Sequence, residues 1–140
     1  MTNKNNDITD SAMKIEHFAY NVEDPVKMAQ WYVDNLGMKI VKQVKEAPYM
    51  TFLSDDSDQV MIEIYHNPVD EVPDYRNMNP LIVHLAFVSE NPSEDKERLL
   101  KSGASEVSDD HLDDGTHLVM MRDPWGFPLQ FCKRGVPMLK

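Results

Sequence analysis

Two stretches of the chain repeat each other, and the repeat restricts the fold more than any other feature. HFAYNVEDP, from His17, returns as HLAFVSENP, from His84, and each copy runs on to a glycine, Gly37 and Gly103. The displacement is 67 residues, and it holds from 17 to 84, from 25 to 92 (Pro25 and Pro92) and from 63 to 130 (Glu63 and Gln130). Self-similarity at a fixed period means one structural unit built twice. At 140 residues the chain has the length of a single domain, and half of it alone would be a marginal domain, so the expectation is two modules in one domain.

Each copy reads as β-α-β-β-β. KIEHFAYNV (14–22) has the alternation of a strand, and Asp24-Pro25 is a helix start: a capping acceptor, then a residue whose missing N–H costs nothing in the first turn. Met28, Trp31, Tyr32 and Leu36 follow at helical spacing, and Gly37 ends the helix as a left-handed cap. MKIVKQV, PYMTFL and QVMIEIYH are three further strands, the last two separated by the acidic turn SDDSD. The second copy has LIVHLAFVS, a helix start at Asn91-Pro92 with Leu99 and Leu100 on its buried side, a cap at Gly103, and the strands SEVSD, THLVMMRD and FPLQFCKR. Asp123-Pro124-Trp125-Gly126 is a type I turn before the last strand. These signals set the boundaries: a polar, unpatterned leader at 1–12 expected to be disordered, one domain over 13–140, module one at 13–66, a proline-broken linker at 67–80, and module two at 81–134. The fold class is α+β.

Alternation sorts the sheet faces. Phe18, Tyr20 and Val22, with Leu85, Phe87 and Ser89, belong under the helices, as do Ile62, Ile64, Leu129 and Phe131. The opposite faces carry His17, Ala19, Met61, Glu63 and Tyr65 in one copy and His84, Ala86, Pro128, Gln130 and Cys132 in the other. A lone strand histidine is ordinarily a hydrogen-bonded structural residue. A histidine and an oxygen donor repeated together on the same face point instead to a metal site, shared if the two halves face each other. Glu63, set among Met61, Ile62 and Ile64, needs a cation or a solvated cavity, because burying a lone carboxylate is costly. Two imidazoles, a carboxylate and a carboxamide oxygen suit one borderline divalent ion, Zn, Ni, Co, Fe or Mn, better than calcium or magnesium.

Other polar residues read differently. His66 is out of phase with Glu63 and belongs on the surface, and His111 in DDHLDD belongs to a solvated acidic loop without the spacing of a calcium loop. The facing of His117 is open; on the face of Gln130 it would be an acid or base behind the ligands. Cys132 reads as a small buried hydrophobe rather than a reactive thiol. The formal net charge of −10 and pI near 4.8 argue against nucleic acid and against an anionic membrane surface. One cysteine, no apolar N-terminal stretch and no long apolar run fit a cytoplasmic protein.

The His17 strand with DPVKMAQWYVDNLGMKIV, IEIYHN, the His84 strand and DPWGFPLQF together resemble the vicinal oxygen chelate superfamily: glyoxalase I, bleomycin-resistance proteins, methylmalonyl-CoA epimerase and extradiol dioxygenases. The resemblance spans about residues 14 to 134. It implies two βαβββ modules forming a cup around a metal held by His17, Glu63, His84 and Gln130, commonly in a homodimer. Glyoxalases and epimerases usually have glutamate where this chain has Gln130. A carboxamide can ligate but is no base at neutral pH, which leaves Glu63 as the candidate catalytic base. The implied activity is that of a lyase or isomerase on a small substrate chelating the metal through adjacent oxygens. Two alternatives stay open: an Fe(II) ring-cleaving dioxygenase using His17, His84 and Glu63, and a drug-binding resistance protein without catalysis. The arginines form no recognisable glutathione site.

Overall fold

A computed structural model describes residues 11–139, so most of the expected leader lies outside the described residues. The chain divides into two compact units, Met1–Val72 and Pro73–Lys140. Unit one has β1 (His17–Asn21), α1 (Pro25–Leu36), β2 (Lys39–Gln43), β3 (Thr51–Ser54) and β4 (Met61–Tyr65). Unit two has a short 3₁₀ turn (Tyr75–Asn77), then β5 (Leu85–Val88), α2 (Pro92–Leu100), β6 (Ser105–His111), β7 (His117–Arg122) and β8 (Pro128–Lys133). The expected βαβββ order is present twice. No described helix is long and apolar enough to cross a membrane.

The two sheets have the same topology, β1-β4-β3-β2 and β5-β8-β7-β6. In each, the first and last strands of the unit pair in parallel and the other pairs are antiparallel. Parallel pairing of first with last is what brings a residue of β1 beside its counterpart in β4: Ala19 pairs with Glu63, and Ala86 with Gln130.

The helices begin as their caps require. Asp24 Oδ1 accepts from the Lys27 N–H at 3.1 Å, and Asn91 Oδ1 accepts from the Glu94 N–H at 3.2 Å. Gly37 adopts φ 70° and ends α1. Met28, Ala29 and Tyr32 of α1 are buried over a sheet whose inner face is Leu53, Ile62 and Ile64. In unit two Leu99 is fully buried over Val119, Met121, Leu129 and Phe131, whereas Leu100 turns outward. A nine-residue helix directs only a narrow stripe inward, and the residue next to Leu99 falls outside it. Each fully buried aliphatic side chain contributes about 1.5–3 kcal/mol.

The segment between the modules is held by side chains of each unit. The Asn21 amide nitrogen faces the carbonyls of Asn67, Asp70 and Glu71 at 3.3–3.4 Å. The Arg122 guanidinium donates to the carbonyls of Tyr75 at 2.7 Å, Met78 at 2.8 Å and Gly126 at 3.2 Å. The DPWG turn closes through the Gly126 N–H to Asp123 O at 2.9 Å, and buried Asp123 accepts from the Trp125 and Phe127 N–H groups.

Candidate functional site

In unit one the register puts His17, Ala19, Met61, Glu63 and Tyr65 on the sheet face opposite α1, together with Phe52 of β3. His17 Nε2 lies 3.4 Å from Glu63 Oε1. Its Nδ1 is tied to Glu16 Oε1 at 2.9 Å. Phe52 meets the imidazole edge-on, with ring centroids 5.4 Å apart. Anchoring Nδ1 turns Nε2 towards Glu63, which is how a metal-binding histidine is usually oriented. The Glu63 side chain is only 12% exposed, and among the described residues His17 is the one basic side chain within ion-pair distance of it.

In unit two, Ala86, Gln130 and Cys132 share the face opposite α2. His84 stands just before β5, two residues from Ala86, and its Nδ1–H donates to the Pro80 carbonyl at 2.8 Å. Nε2 is again the nitrogen left with its lone pair. Gln130 Oε1 accepts from the Cys132 thiol at 3.4 Å. Burial pushes that thiol up from its ordinary range, which keeps it protonated at neutral pH and fits a buried apolar group.

Unit one therefore sets an imidazole nitrogen beside a carboxylate on one sheet face, donor types that suit a divalent ion, whereas in unit two the neutral Gln130 oxygen lies on the sheet face and His84 stands just outside β5. His66 is not part of either pair. It is half-buried, and its Nδ1–H donates to the Val22 carbonyl at 2.8 Å.

His117 lies on the helix side of its sheet. It pairs with Lys133 and alternates with Val119, whose partner is Phe131. Its Nε2 contacts Asp109 Oδ1 at 2.7 Å, and the other Asp109 oxygen takes the Lys96 ammonium of α2 at 2.6 Å. Hydrogen bonds from Lys96 and then His117 hold the Asp109 carboxyl below the ordinary carboxylate range. β6 runs through Asp109, Asp110 and His111, so the acidic run is half strand rather than all loop. The hairpin loop is shorter than the charge pattern suggested, because Leu112 N–H reaches Thr116 O at 2.8 Å and Asp114 Oδ1 accepts from Thr116 N–H. This second histidine cluster carries one sequence signal: Asp114-Gly115, a hairpin-turn dipeptide between His111 and His117. The sequence reading does not single out Phe52; the alternation within PYMTFL is the signal that could have found it.

The family model described as Glyoxalase/Bleomycin resistance protein/Dioxygenase superfamily matches residues 14–131. The chain belongs to this superfamily, the vicinal oxygen chelate proteins, and its two βαβββ modules are that fold. A glyoxalase family protein from Bacillus cereus is similar at 15% identity and TM-score 0.73, over 89% of this chain and 95% of that one. An antibiotic-binding protein, TnmS3, from Streptomyces sp. CB03234 is similar at 14% identity and TM-score 0.69, over 89% and 98%. A glyoxalase I mutant from Zea mays is similar at 19% identity and TM-score 0.67, with 86% of this chain covering 45% of that one. These identities speak for the fold alone. No curated protein matches the chain.

Proposed function

We propose that this chain is a divalent-metal-dependent enzyme of the glyoxalase or epimerase kind, a lyase or isomerase, acting on a small substrate that offers two adjacent oxygens. His17, Glu63, His84 and Gln130 would hold one ion of the Zn, Ni, Co, Fe or Mn class. The observation that carries this reading is Glu63: a largely covered carboxylate on the open sheet face, 3.4 Å from an imidazole whose other nitrogen is anchored. When bound, the ion would polarise the substrate's paired oxygens. Glu63 supplies the base. Its Oε1 faces His17, which leaves Oε2 to take a proton from the carbon beside a carbonyl and return it. Gln130 cannot share that task, so proton movement is one-sided. The test is metal-dependent solvent-deuterium exchange into a panel of α-hydroxycarbonyl compounds. Exchange that disappears in Glu63→Gln supports the reading; no exchange across the panel contradicts it.

A second reading, small-molecule binding without catalysis, is favoured by one observation. A groove of about 900 Å³ in unit two is lined by Ala86, Val88 and Cys132 and by the tail residues Pro137, Met138 and Leu139. A ligand held there without any exchange chemistry would select this reading. A cytoplasmic homodimer completes the proposal: a buried thiol suits a reducing compartment, and Phe18 and Val88 leave apolar surface on the strands β1 and β5.

A further inference from the structure

We propose that Asp109, His111 and His117 form a second divalent-cation site, of the zinc, nickel, cobalt or copper kind, on the β6–β7 hairpin. The register makes His111 and His117 direct cross-strand partners and sets Asp109 two residues back on the same face. The two imidazoles stack with centroids 3.9 Å apart and planes 19° apart. Both Nε2 atoms point at one oxygen: His117 Nε2 is 2.7 Å and His111 Nε2 is 3.6 Å from Asp109 Oδ1. The three donor atoms lie within 4.8 Å of one another.

Those separations are near what zinc needs. Bonds of about 2.0–2.2 Å in a tetrahedron place ligand atoms roughly 3.3–3.6 Å apart, so side-chain shifts of about an ångström complete the site. Lys96 Nζ occupies Asp109 Oδ2 at 2.6 Å, which fixes the carboxylate and presents Oδ1 alone to the imidazoles. His117 is 11% exposed and His111 is 71% exposed, so the site is rooted on one side and open to water on the other. The open side leaves a coordination position for water or a small anion. Asp113 and Asp114 follow in the same hairpin turn, and with the chain's net charge of −10 they favour cations near it. Two imidazoles with one carboxylate select borderline transition ions over calcium and magnesium. The site is separate from the residues assigned to the reaction: within unit two, His117 and Gln130 lie on opposite faces of the same sheet.

The test is a Zn²⁺ titration of the full chain followed by the imidazole ¹H–¹⁵N resonances, which report each histidine by itself. His111 and His117 are expected to shift together and saturate at one common equivalent, whatever His17 and His84 do. Exposed His111→Ala, which removes a ligand without opening the core, should raise the zinc concentration needed to shift His117 by about 10–100-fold, at least the cost of losing an outer partner of a ligand. Resonances of His111 and His117 that stay fixed while zinc saturates other histidines would overturn the proposal. So would an unchanged His117 response in His111→Ala.

Discussion

Glu63 Oε1 and His17 Nε2 stand 3.4 Å apart across the paired strands β4 and β1, on the face that α1 does not cover. No lysine or arginine completes the pair among the described residues. Burying a carboxylate beside a single imidazole costs free energy that a bound cation would offset.

From this pair follows the behaviour of the ligand variants. His17→Ala, Glu63→Ala and His84→Ala should each lose one equivalent of metal from the purified protein. His66→Ala should keep the wild-type content, because His66 is engaged with the Val22 carbonyl. Elemental analysis of the four variants checks this; full metal content in the His17 and His84 variants would remove the assignment.

Gln130→Glu separates reaction classes. Under the glyoxalase or epimerase reading it adds a second carboxylate at the repeat-related position, so metal is kept and deuterium exchange is preserved or rises. Under an Fe(II) dioxygenase mechanism the same change adds a charged ligand where oxygen or substrate needs an open position, so oxygen uptake with catechols falls. Parallel assays of exchange and oxygen uptake on both proteins decide between them.

Much of this arrangement was legible in the chain. The recurrence of Ala19 at Ala86 and of Glu63 at Gln130 exposed both sheet faces, because a period-two strand carries its face assignment in its spacing, whereas His84, expected within the strand LIVHLAFVS, stands just before β5. Asp24-Pro25 and Asn91-Pro92 announced both helix starts. What escaped depended on tertiary detail. Leu100 looks as apolar as Leu99, and only the short reach of α2 decides which one turns inward. The side occupied by His117 depended on where β7 begins pairing after the turn, and the acidic DDHLDD run concealed the end of β6. Lys96 gave no sign that it would cross from α2 to Asp109.

Gly126→Ala tests the packing of the DPWG turn. Gly126 has φ 92°, and an added Cβ would stand 2.6 Å from Arg76 Cβ and 2.8 Å from Arg76 Cα. Strain at positive φ alone costs about 1–3 kcal/mol, and the backbone contact adds to it. Urea denaturation should show a lower midpoint with an unchanged slope.

Asp114 gives a pH dependence. Its hydrogen bonds from Thr116 hold its carboxyl below the ordinary range. A carboxylate whose folded pKa is depressed stabilises the fold above its unfolded pKa and loses that contribution as pH falls through the folded value. Asp114→Ala should therefore flatten the acid limb of the stability curve below about pH 4 and leave the neutral-to-alkaline limb in shape, as measured by denaturation across pH.

Assembly is tested by light scattering. Exposed Phe18 and Val88 on β1 and β5 favour association through those strands, and a symmetric dimer mass is expected at tens of micromolar. A monomer mass at that concentration contradicts it.

The proposed ligand set is His17, Glu63, His84 and Gln130 on one divalent ion. Its most direct measurement is the Nε2 resonances of His17 and His84 during titration with Zn²⁺. Both are expected to shift together, to saturate at the same single equivalent, and to lose that response together in Glu63→Ala. Independent saturation of the two histidines, or a response from one alone, would contradict it.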